Sequence, residues 1–431
     1  MGAQVRADPA PRPVDVTGGA GGFEAHTEEL DVLARRFGGV AGDCLGSSMT
    51  LHGYLVDGAV TASAPFDPVG WAQFEAELVG ALDGLHGLSW VGLRCGALDG
   101  ELRAAAAAYR AVDHLGRALH DEVLGLVRVP RALVAAGREL ARTHDPLAAA
   151  QAGIAADPGV VDHVVDQLGL PALIAGASAV LPDGHGVARP LGTDAVGPAG
   201  RPPRRLTDVV GDLAQRNDDT HDGAIDVRII TLPGGGRRVI VDITGTKSWS
   251  PGPTSDITSL TTNGRALVGR STAYEQGVLS AMHRAGVRPD DDVMLVGHSE
   301  GGMVAVTTAR DAVRTGRFHV THVITAGSPI GRTAGELPRS VKVLALENAR
   351  DVVPHLDGTA NPDRPNVTTV TSARGDGTVE GDHSLDTAYH RVALDAQASG
   401  NASVRDFLVG ADDYFRGTHV TTHVYQVVRH Y

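Results

Sequence analysis

Hydrophobic residues recur at three- and four-residue steps through the first third of the 431-residue chain. This spacing places them on one face of a helix, and no strand-like alternation competes with it. A proline-containing stretch at 63–68 separates two such regions. The periodic positions are Leu30, Leu33, Phe37 and Val40; Phe74, Leu78, Leu82 and Leu85; and Leu98, Leu102 and Ala106. The pattern predicts an all-α domain over residues 23–126.

Three further segments lack this long periodicity. Residues 1–22 are rich in Pro, Gly and Ala, which predicts a disordered N-terminus. Residues 127–185 predict additional, shorter helices, whose breaks fall at Pro130, Pro146, Pro158 and Pro171. Residues 186–204 contain four prolines and four glycines between them, which predicts a linker.

The pattern changes after the linker, because short β-branched runs alternate with helical stretches. The runs lie at 227–232, 237–243, 292–297, 319–327, 341–348 and 366–372. The helical stretches lie at about 271–286, 299–315 and 384–399. This alternation predicts an α/β domain over residues 205–431, with a mostly parallel sheet covered on both faces.

Charge and composition exclude some classes of function. A formal net charge of −13 argues against a nucleic-acid partner, which requires a basic face. The two cysteines, Cys44 and Cys95, are too few for a disulfide framework and indicate either small buried residues or one bridge in an oxidising compartment. No secretory signal peptide is expected at the N-terminus, and the longest apolar run, 170–181, is too short for a transmembrane segment.

The segment Gly297-His298-Ser299-Glu300-Gly301 has the pattern G-x-S-x-G. A buried strand is predicted directly before it, and a helix of small apolar residues directly after Gly302. A serine held on a tight strand–turn–helix elbow of this kind is a candidate nucleophile, and glycines are required where the turn crowds its backbone. The alternative is a strand–turn–helix without catalysis.

A serine hydroxyl requires a basic imidazole, and the imidazole requires an orienting carboxylate. Asp351 follows a predicted strand and is the candidate acid, with Asp357 as a rival. His383 follows the next strand and is the candidate base. Its rivals are His355, His390, His419 and His423. The expected oxyanion donors are the backbone N–H of Glu300 and that of Thr246, whose hydroxyl is a further donor; the alternative is that Gly245-Thr246 is a simple turn.

Five segments carry a resemblance to the α/β-hydrolase superfamily, closest to class 3 lipase-like and related actinobacterial esterases. They are ITGT (243–246), GHSEGG (297–302), TAGSP (325–329), ENARDVVPHLDG (347–358) and DHSLDTAY (382–389). The resemblance covers about half of the chain. It implies a C-terminal α/β-hydrolase domain, ester hydrolysis by Ser299, Asp351 and His383, and lipids or acylglycerols as substrates, without a metal or organic cofactor.

The helical region more loosely resembles the helical-hairpin (WXG100) proteins exported by type VII (ESX) secretion. Trp90-Val91-Gly92 matches their W-x-G turn, and Tyr109 with Asp113 matches their Y-x-x-x-D signal, although the two motifs stand closer together here. The resemblance implies the secretion machinery or a helical protein as partner. The alternative is a core tryptophan and a helical tyrosine with an acid four residues later.

Two classes of function therefore remain open. The first is a serine esterase or lipase, with peptidase or thioesterase chemistry as a variant of the same three residues. The second is a type VII-exported interaction protein whose hydrolase fold is not catalytic. The location is correspondingly either outside the cell, reached without a cleaved signal peptide, or the cytoplasm.

Overall fold

The computed structural model describes residues 10–143, 183–191, 200–218, 220–247 and 256–431, and the isolated positions 152–153, 156–157, 161–162, 165 and 169. The chain forms two compact units. One comprises Glu24–Glu122, and the other comprises Met1–Phe23 together with Val123–Tyr431. The chain is thus an α/β protein with an N-terminal helical region.

The helical region contains α1 (Phe23–His52), the short α2 (Gly58–Thr61), α3 (Pro68–Asp83) and α4 (Leu88–Thr143). Helix α3 begins where the sequence provides both a cap and a suitable first residue: the Asp67 carboxylate accepts from the Gly70 N–H at 3.0 Å, and Pro68 fits the first turn. Helix α4 continues through Pro130, so the predicted break there is wrong. A proline removes one backbone N–H, which a 56-residue helix tolerates while its other hydrogen bonds remain.

Helices α1 and α4 run antiparallel and approach each other through small residues. Ala34, Ala41 and Ala106 are buried. A Cβ added to Gly92 would lie 2.7 Å from Leu45 Cγ. The hydroxyls of Ser48 and Ser89 hydrogen-bond across the pair at 2.7 Å. Cys44 and Cys95, which lie in these helices, are partly buried free thiols.

The second unit is built on one sheet of nine strands in the described residues. The strands are β1 (Asp15–Gly18), β2 (His185–Pro190), β3 (Ala224–Thr231), β4 (Arg237–Ile243), β5 (Asp292–His298), β6 (His319–Ala326), β7 (Lys342–Asn348), β8 (Val367–Ser372) and β9 (His419–His430). Their order across the sheet is β1-β8-β7-β6-β5-β4-β3-β9-β2.

The sheet is mixed rather than mostly parallel. Strands β4 to β8 are parallel neighbours in sequence order. The flanking pairs β1–β8, β3–β4, β3–β9 and β2–β9 are antiparallel. The prediction correctly identified the parallel centre and also the strand at 227–232, which is β3, but it missed β1, β2 and β9.

The helices of this unit cover both faces of the sheet. They are α5 (Leu206–Asn217), α6 (Leu260–Leu267), α7 (Ala273–Arg284), α8 (Glu300–Thr315), α9 (Gly331–Ala334), α10 (Val379–His383), α11 (His390–Ala398) and α12 (Ala402–Gly410). Alternate residues of β5 enter two separate cores: Val293 and Leu295 pack with α7 and α8, while Met294 and Val296 pack with α5, α11 and α12. Helices α7 and α8 share a face because consecutive crossovers between parallel strands have the same hand.

Two predicted segment boundaries are corrected. Residues 15–18 are not disordered but form β1, which pairs with β8 while Val14 and Val16 pack against the core. Residues 185–190 are neither helix nor linker but form β2 along β9. Strand β1 contains one apolar residue, Val16, and β2 contains two, Val187 and Ala188, so the stability of each comes from the partner strand and not from a local pattern. Residues 192–199 of the predicted linker, and the breaks at Pro146, Pro158 and Pro171, lie outside the described residues.

Across the part of the chain that the structure describes, no helix combines the length and the apolar character needed to cross a membrane.

Candidate active site

The candidate residues gather at the carboxyl ends of the parallel strands. The segment Thr244–Thr246 follows β4, Ser299 follows β5, Asp351 comes three residues after β7, and His383 ends α10 beyond β8. Carboxyl ends of parallel strands meet at one edge of a sheet, which is where ligands bind in open α/β sheets.

Ser299 has strained backbone geometry. Its φ of 55° and ψ of −122° make it the only non-glycine residue with positive φ within the described ranges. Such a conformation costs about 1–3 kcal/mol and persists only where its surroundings impose it. Here the Ser299 N–H donates to the Ala326 carbonyl at 3.0 Å, and its carbonyl accepts from the Gly302 N–H at 3.1 Å. The turn therefore holds the side chain of Ser299 between β5 and α8.

The turn requires glycine at three positions, because a side chain at any of them would clash with neighbouring atoms. A Cβ on Gly297 would lie 2.2 Å from the Gly301 carbonyl oxygen, and one on Gly301 would lie 2.2 Å from the Ile243 carbonyl oxygen. A Cβ on Gly302 would lie 2.0 Å from the hydroxyl of Ser328. The predicted requirement for glycine at these positions thus has a direct steric cause.

Asp351 and His383 form a close pair. The Nδ1–H of His383 donates to Asp351 Oδ2 at 2.6 Å. The carboxylate is 1% exposed, and it also accepts from the Val353 N–H at 2.9 Å and from the Tyr389 hydroxyl at 2.5 Å. Three donors fix the carboxylate, which in turn fixes the tautomer in which His383 Nε2 is free to accept a proton.

Asn348, the last residue of β7, joins the two loops that carry this pair. Its Nδ2 donates to the Asp382 carbonyl at 2.7 Å, and its Oδ1 accepts from the Arg374 N–H at 3.0 Å. The sequence analysis missed this residue. No local signal marks it, because β7 also contains Lys342 and Glu347 and a single Asn at its end does not show which loops it joins.

His298 connects the serine turn to the histidine loop. Its Nε2–H donates to the His383 carbonyl at 3.0 Å, and the two imidazole centroids are 4.6 Å apart. Burial lowers the pKa of His298 well below its ordinary value, and the charge of His383 adds to this effect, so His298 is neutral. Within the described structure, no hydrogen bond joins the Ser299 hydroxyl to His383 itself.

The predicted oxyanion segment lies against the serine turn. A Cβ on Gly245 would lie 3.1 Å from Ser299 Cβ. The N–H groups on either side of Thr246 are engaged: that of Gly245 donates to Asn217 Oδ1 at 3.1 Å, and that of Lys247 donates to Thr258 Oγ1 at 3.0 Å. No acceptor among the described residues takes the Thr246 N–H. Glu300 is the first residue of α8, and the backbone N–H groups in the first turn of a helix have no intrahelical acceptor.

The Thr246 hydroxyl, which the sequence suggested as a further oxyanion donor, is already engaged. It donates to Glu300 Oε2 at 2.9 Å and accepts from Asn263 Nδ2 at 2.9 Å. The Glu300 side chain is 1% exposed. Only the backbone of Thr246 is therefore available for an oxyanion in this arrangement.

The structure places the rival residues elsewhere. Asp357 accepts from the Arg332 N–H at 3.1 Å, and His355 contacts Asp162 at 2.6 Å. His419 and His423 belong to β9, whose neighbours are β3 and β2, and His390 begins α11.

The residues proposed as an export signal all belong to α4. Trp90 and Gly92 lie in its first turns rather than in a loop, because the preceding turn closes earlier, with Gly87 N–H donating to the Gly84 carbonyl at 2.7 Å. Trp90 is 39% exposed, so it is not a core residue, and the Arg94 guanidinium lies 4.9 Å from its ring centroid. Tyr109 is exposed, and Asp113 follows one turn later in the same helix.

Comparisons of the chain with the profiles of known protein families, with curated proteins and with solved structures find no match.

Proposed function

We propose that the protein is a serine hydrolase of the α/β-hydrolase type that cleaves carboxylic esters through an acyl-enzyme on Ser299. The observation that carries this proposal is a serine in a strained backbone conformation between a parallel strand and a helix, close in the fold to a buried carboxylate–imidazole pair. Backbone strain of this kind concentrates at functional sites. The chain order Ser299, Asp351, His383 supports the same assignment.

In the proposed reaction, His383 Nε2 takes the proton of the Ser299 hydroxyl as the oxygen attacks the ester carbonyl. Asp351 stabilises the resulting imidazolium. The N–H groups of Thr246 and Glu300 donate to the oxyanion of the tetrahedral intermediate. Its collapse expels the alcohol, which receives the proton from His383, and water activated by the same imidazole then releases the acid.

This chemistry requires the Ser299 hydroxyl and His383 Nε2 to come within hydrogen-bonding distance. Catalytic hydrogen bonds are often long in free enzymes and shorten once substrate is bound. The imidazole of His298, the residue before Ser299, already bonds to the His383 carbonyl, so the serine turn and the histidine loop are in contact.

A fluorophosphonate probe tests the proposal without knowledge of the substrate. We expect the intact protein to be labelled and the Ser299→Ala variant not to be, since the probe reacts with an activated serine. Ser399→Ala, which changes a serine at the end of α11, is the matched control and should label like the wild type. An unlabelled wild type, or labelling that survives Ser299→Ala, would contradict the proposal.

The same variants address the class of ester. Hydrolysis of p-nitrophenyl esters from acetate to palmitate by the wild type, corrected for the rate of Ser299→Ala, gives the chain-length preference. A steep preference for long chains supports a lipase, and a preference for short chains supports an esterase.

A second candidate is an interaction protein exported by type VII secretion, in which the α/β unit is not catalytic. Exposed apolar side chains on the helical unit favour it: Leu33, Val40, Met49, Phe66, Val69 and Leu93 are each more than 40% exposed. Exposed apolar surface of this kind is typical of contact with a partner. An unlabelled, folded wild type together with co-purification of a helical partner would favour this candidate over the first.

A further inference from the structure

The side chain of Glu300 is a buried carboxyl group that the reaction described above does not use. Glu300 follows the proposed nucleophile directly, and its backbone N–H is one of the two proposed oxyanion donors. Its side chain is 1% exposed, and Oε2 accepts the Thr246 hydroxyl hydrogen at 2.9 Å. Oε1 is buried and has no hydrogen-bond partner among the residues described.

The residue at the other end of this hydrogen bond supplies the second proposed oxyanion donor. Thr246 is held on its other side by Asn263, whose Nδ2 donates to the threonine hydroxyl at 2.9 Å. Asn263 is itself anchored in α6, where Nδ2 also donates to the Ser259 carbonyl at 3.3 Å. A continuous chain of hydrogen bonds thus runs from α6 through Thr246 to the first residue of α8.

We propose that Glu300 is a positioning residue that sets the spacing of the two oxyanion donors by holding Thr246, through its hydroxyl, against the start of α8. The inference rests on the proposed serine-hydrolase function. It also gives a chemical reason for an acidic residue beside the nucleophile: an uncharged carboxyl group can accept the threonine hydrogen bond without placing negative charge next to a developing oxyanion.

The surroundings of Glu300 favour this uncharged form. Burial raises the pKa of its carboxyl group well above the ordinary value, and the negative charges of Asp222 and Asp183 add to the rise. The Thr246 hydrogen bond and the positive charge of Arg429 oppose it. Asp183 is paired with Arg429 at 3.0 Å, so much of that positive charge is balanced. The other titratable groups of the site are Lys247, which follows Thr246, the phenol of Tyr274 and the imidazoles of His298 and His383.

The ionisation of Glu300 should make the rate of Ser299 labelling depend on pH. As the pH rises, Glu300 loses its proton, and its charge then opposes formation of the oxyanion. The rate of Ser299 labelling should therefore fall as the pH rises through the raised pKa of Glu300.

The test is the second-order rate of fluorophosphonate labelling of the full-length protein between about pH 6 and pH 10. Glu300→Gln keeps an oxygen that can accept from Thr246 but cannot ionise, so we expect this fall in rate with rising pH to disappear from its profile. Glu300→Leu and Thr246→Val each break the hydrogen bond, and each should slow labelling by about tenfold or more. The double variant should be no slower than the slower single variant, because both changes remove one interaction.

Thermal melting establishes whether each variant folds. If Glu300→Leu does not fold, Thr246→Val still tests the proposal, because it removes the same hydrogen bond. If the wild type is labelled at Ser299 but Glu300→Gln shows the same fall in rate with rising pH, the role of Glu300 alone is overturned. Additive effects of the two single changes would overturn it as well. Absence of wild-type labelling would overturn the serine-hydrolase function and this inference with it.

Discussion

Single hydrogen bonds decide how the imidazole of the candidate site is presented. Asp351 Oδ2 accepts from both His383 Nδ1 and the Tyr389 hydroxyl, at 2.6 and 2.5 Å. Burial raises the pKa of Tyr389 well above its ordinary value, and the charge of Asp351 adds to the rise, so the hydroxyl remains a donor. The ring of Tyr389 is also confined, because a Cβ on Gly327 would lie 2.8 Å from it.

Tyr389→Phe removes this hydroxyl and keeps the ring. A hydrogen bond to a charged group contributes about 1.5–3 kcal/mol, and we expect about a tenfold loss of the Ser299 labelling rate as Asp351 loses one of the donors that orient it. The comparison is the labelling rate of wild type and variant at equal protein concentration, with melting temperatures measured in parallel.

Tyr414→Phe is the matched control for this change. Tyr414 is equally buried, but its hydroxyl bonds to neutral Thr321 at 2.8 Å near the start of β6, away from Ser299. It should lose stability without a comparable loss of labelling rate. Equal labelling by Tyr389→Phe and wild type would show that Tyr389 does not orient Asp351.

Some residues of the candidate site could be predicted from the sequence, and others could not. Ser299, Asp351 and His383 could be proposed from the sequence because each follows a predicted strand in the order that one reaction requires. Asn348, Asn263 and the side chain of Glu300 could not. Their contacts depend on which loops the fold brings together, and a single Asn or Glu carries no such information in the sequence.

At the scale of elements, the close approach of α1 and α4 depends on residues without side chains. Gly92, in α4, lies against Leu45 and Ala41 of α1, whereas Gly39, in α1, has no atom within 4 Å of an added Cβ. Both glycines are inside helices, so replacing either one by alanine raises the intrinsic helix propensity by the same amount. The two positions therefore separate helix propensity from helix packing.

We expect Gly39→Ala to stabilise the helical unit by about 0.5–1 kcal/mol, because alanine is the better helix former. Gly92→Ala should instead destabilise it by about 1–3 kcal/mol, since the new methyl group overpacks the contact with Leu45. Urea unfolding followed by tryptophan fluorescence in a Trp249→Phe background reports on this unit, because the other two tryptophans, Trp71 and Trp90, both belong to it. A Gly92→Ala variant as stable as Gly39→Ala would mean that α1 and α4 do not pack as closely as described.

The strands show the same contrast between local and distant signals. Strands β4 to β8 are buried between two helical layers and consist mostly of apolar and β-branched residues, so the sequence predicts them. Strands β1 and β2 were missed because each has one strand partner, contributed by a segment more than two hundred residues away. Strand β9 was missed as well, although it is 12 residues long, because its exposed and buried positions alternate only in part.

At the scale of the whole molecule, one buried carboxylate ties the N-terminal segment to the C-terminal part of the sheet unit. Asp395 in α11 accepts from the Arg12 N–H at 2.7 Å and from the Ser372 hydroxyl at 2.6 Å. It also pairs with the guanidinium of Arg374, whose Nε lies 2.7 Å away. The side chains of Asp395 and Arg374 are 0% and 3% exposed. Since the Arg374 N–H binds Asn348 Oδ1, the same cluster reaches the loop that carries His383.

Asp395→Asn tests this connection. Removing the charge of one partner leaves a buried arginine uncompensated, which typically costs about 3–5 kcal/mol. An unfolding entropy of about 2.1 cal/mol/K per residue gives roughly 1.4 °C per kcal/mol for this unit of over 300 residues, so the melting temperature should fall by about 4–7 °C. The change should also slow Ser299 labelling at temperatures at which the variant is folded, because Asn348 loses a fixed neighbour.

Asp412→Asn is the matched control, because it removes the same charge from an ion pair with Arg416 in which both side chains are more than half exposed. Exposed pairs contribute little to stability, so its melting temperature should stay within about 1 °C of the wild type. If Asp395→Asn has the same melting temperature as Asp412→Asn, the cluster does not hold the N-terminal segment to the sheet. If Asp395→Asn melts early but labels at the wild-type rate below its transition, the cluster supports the fold without steadying the loop that carries His383.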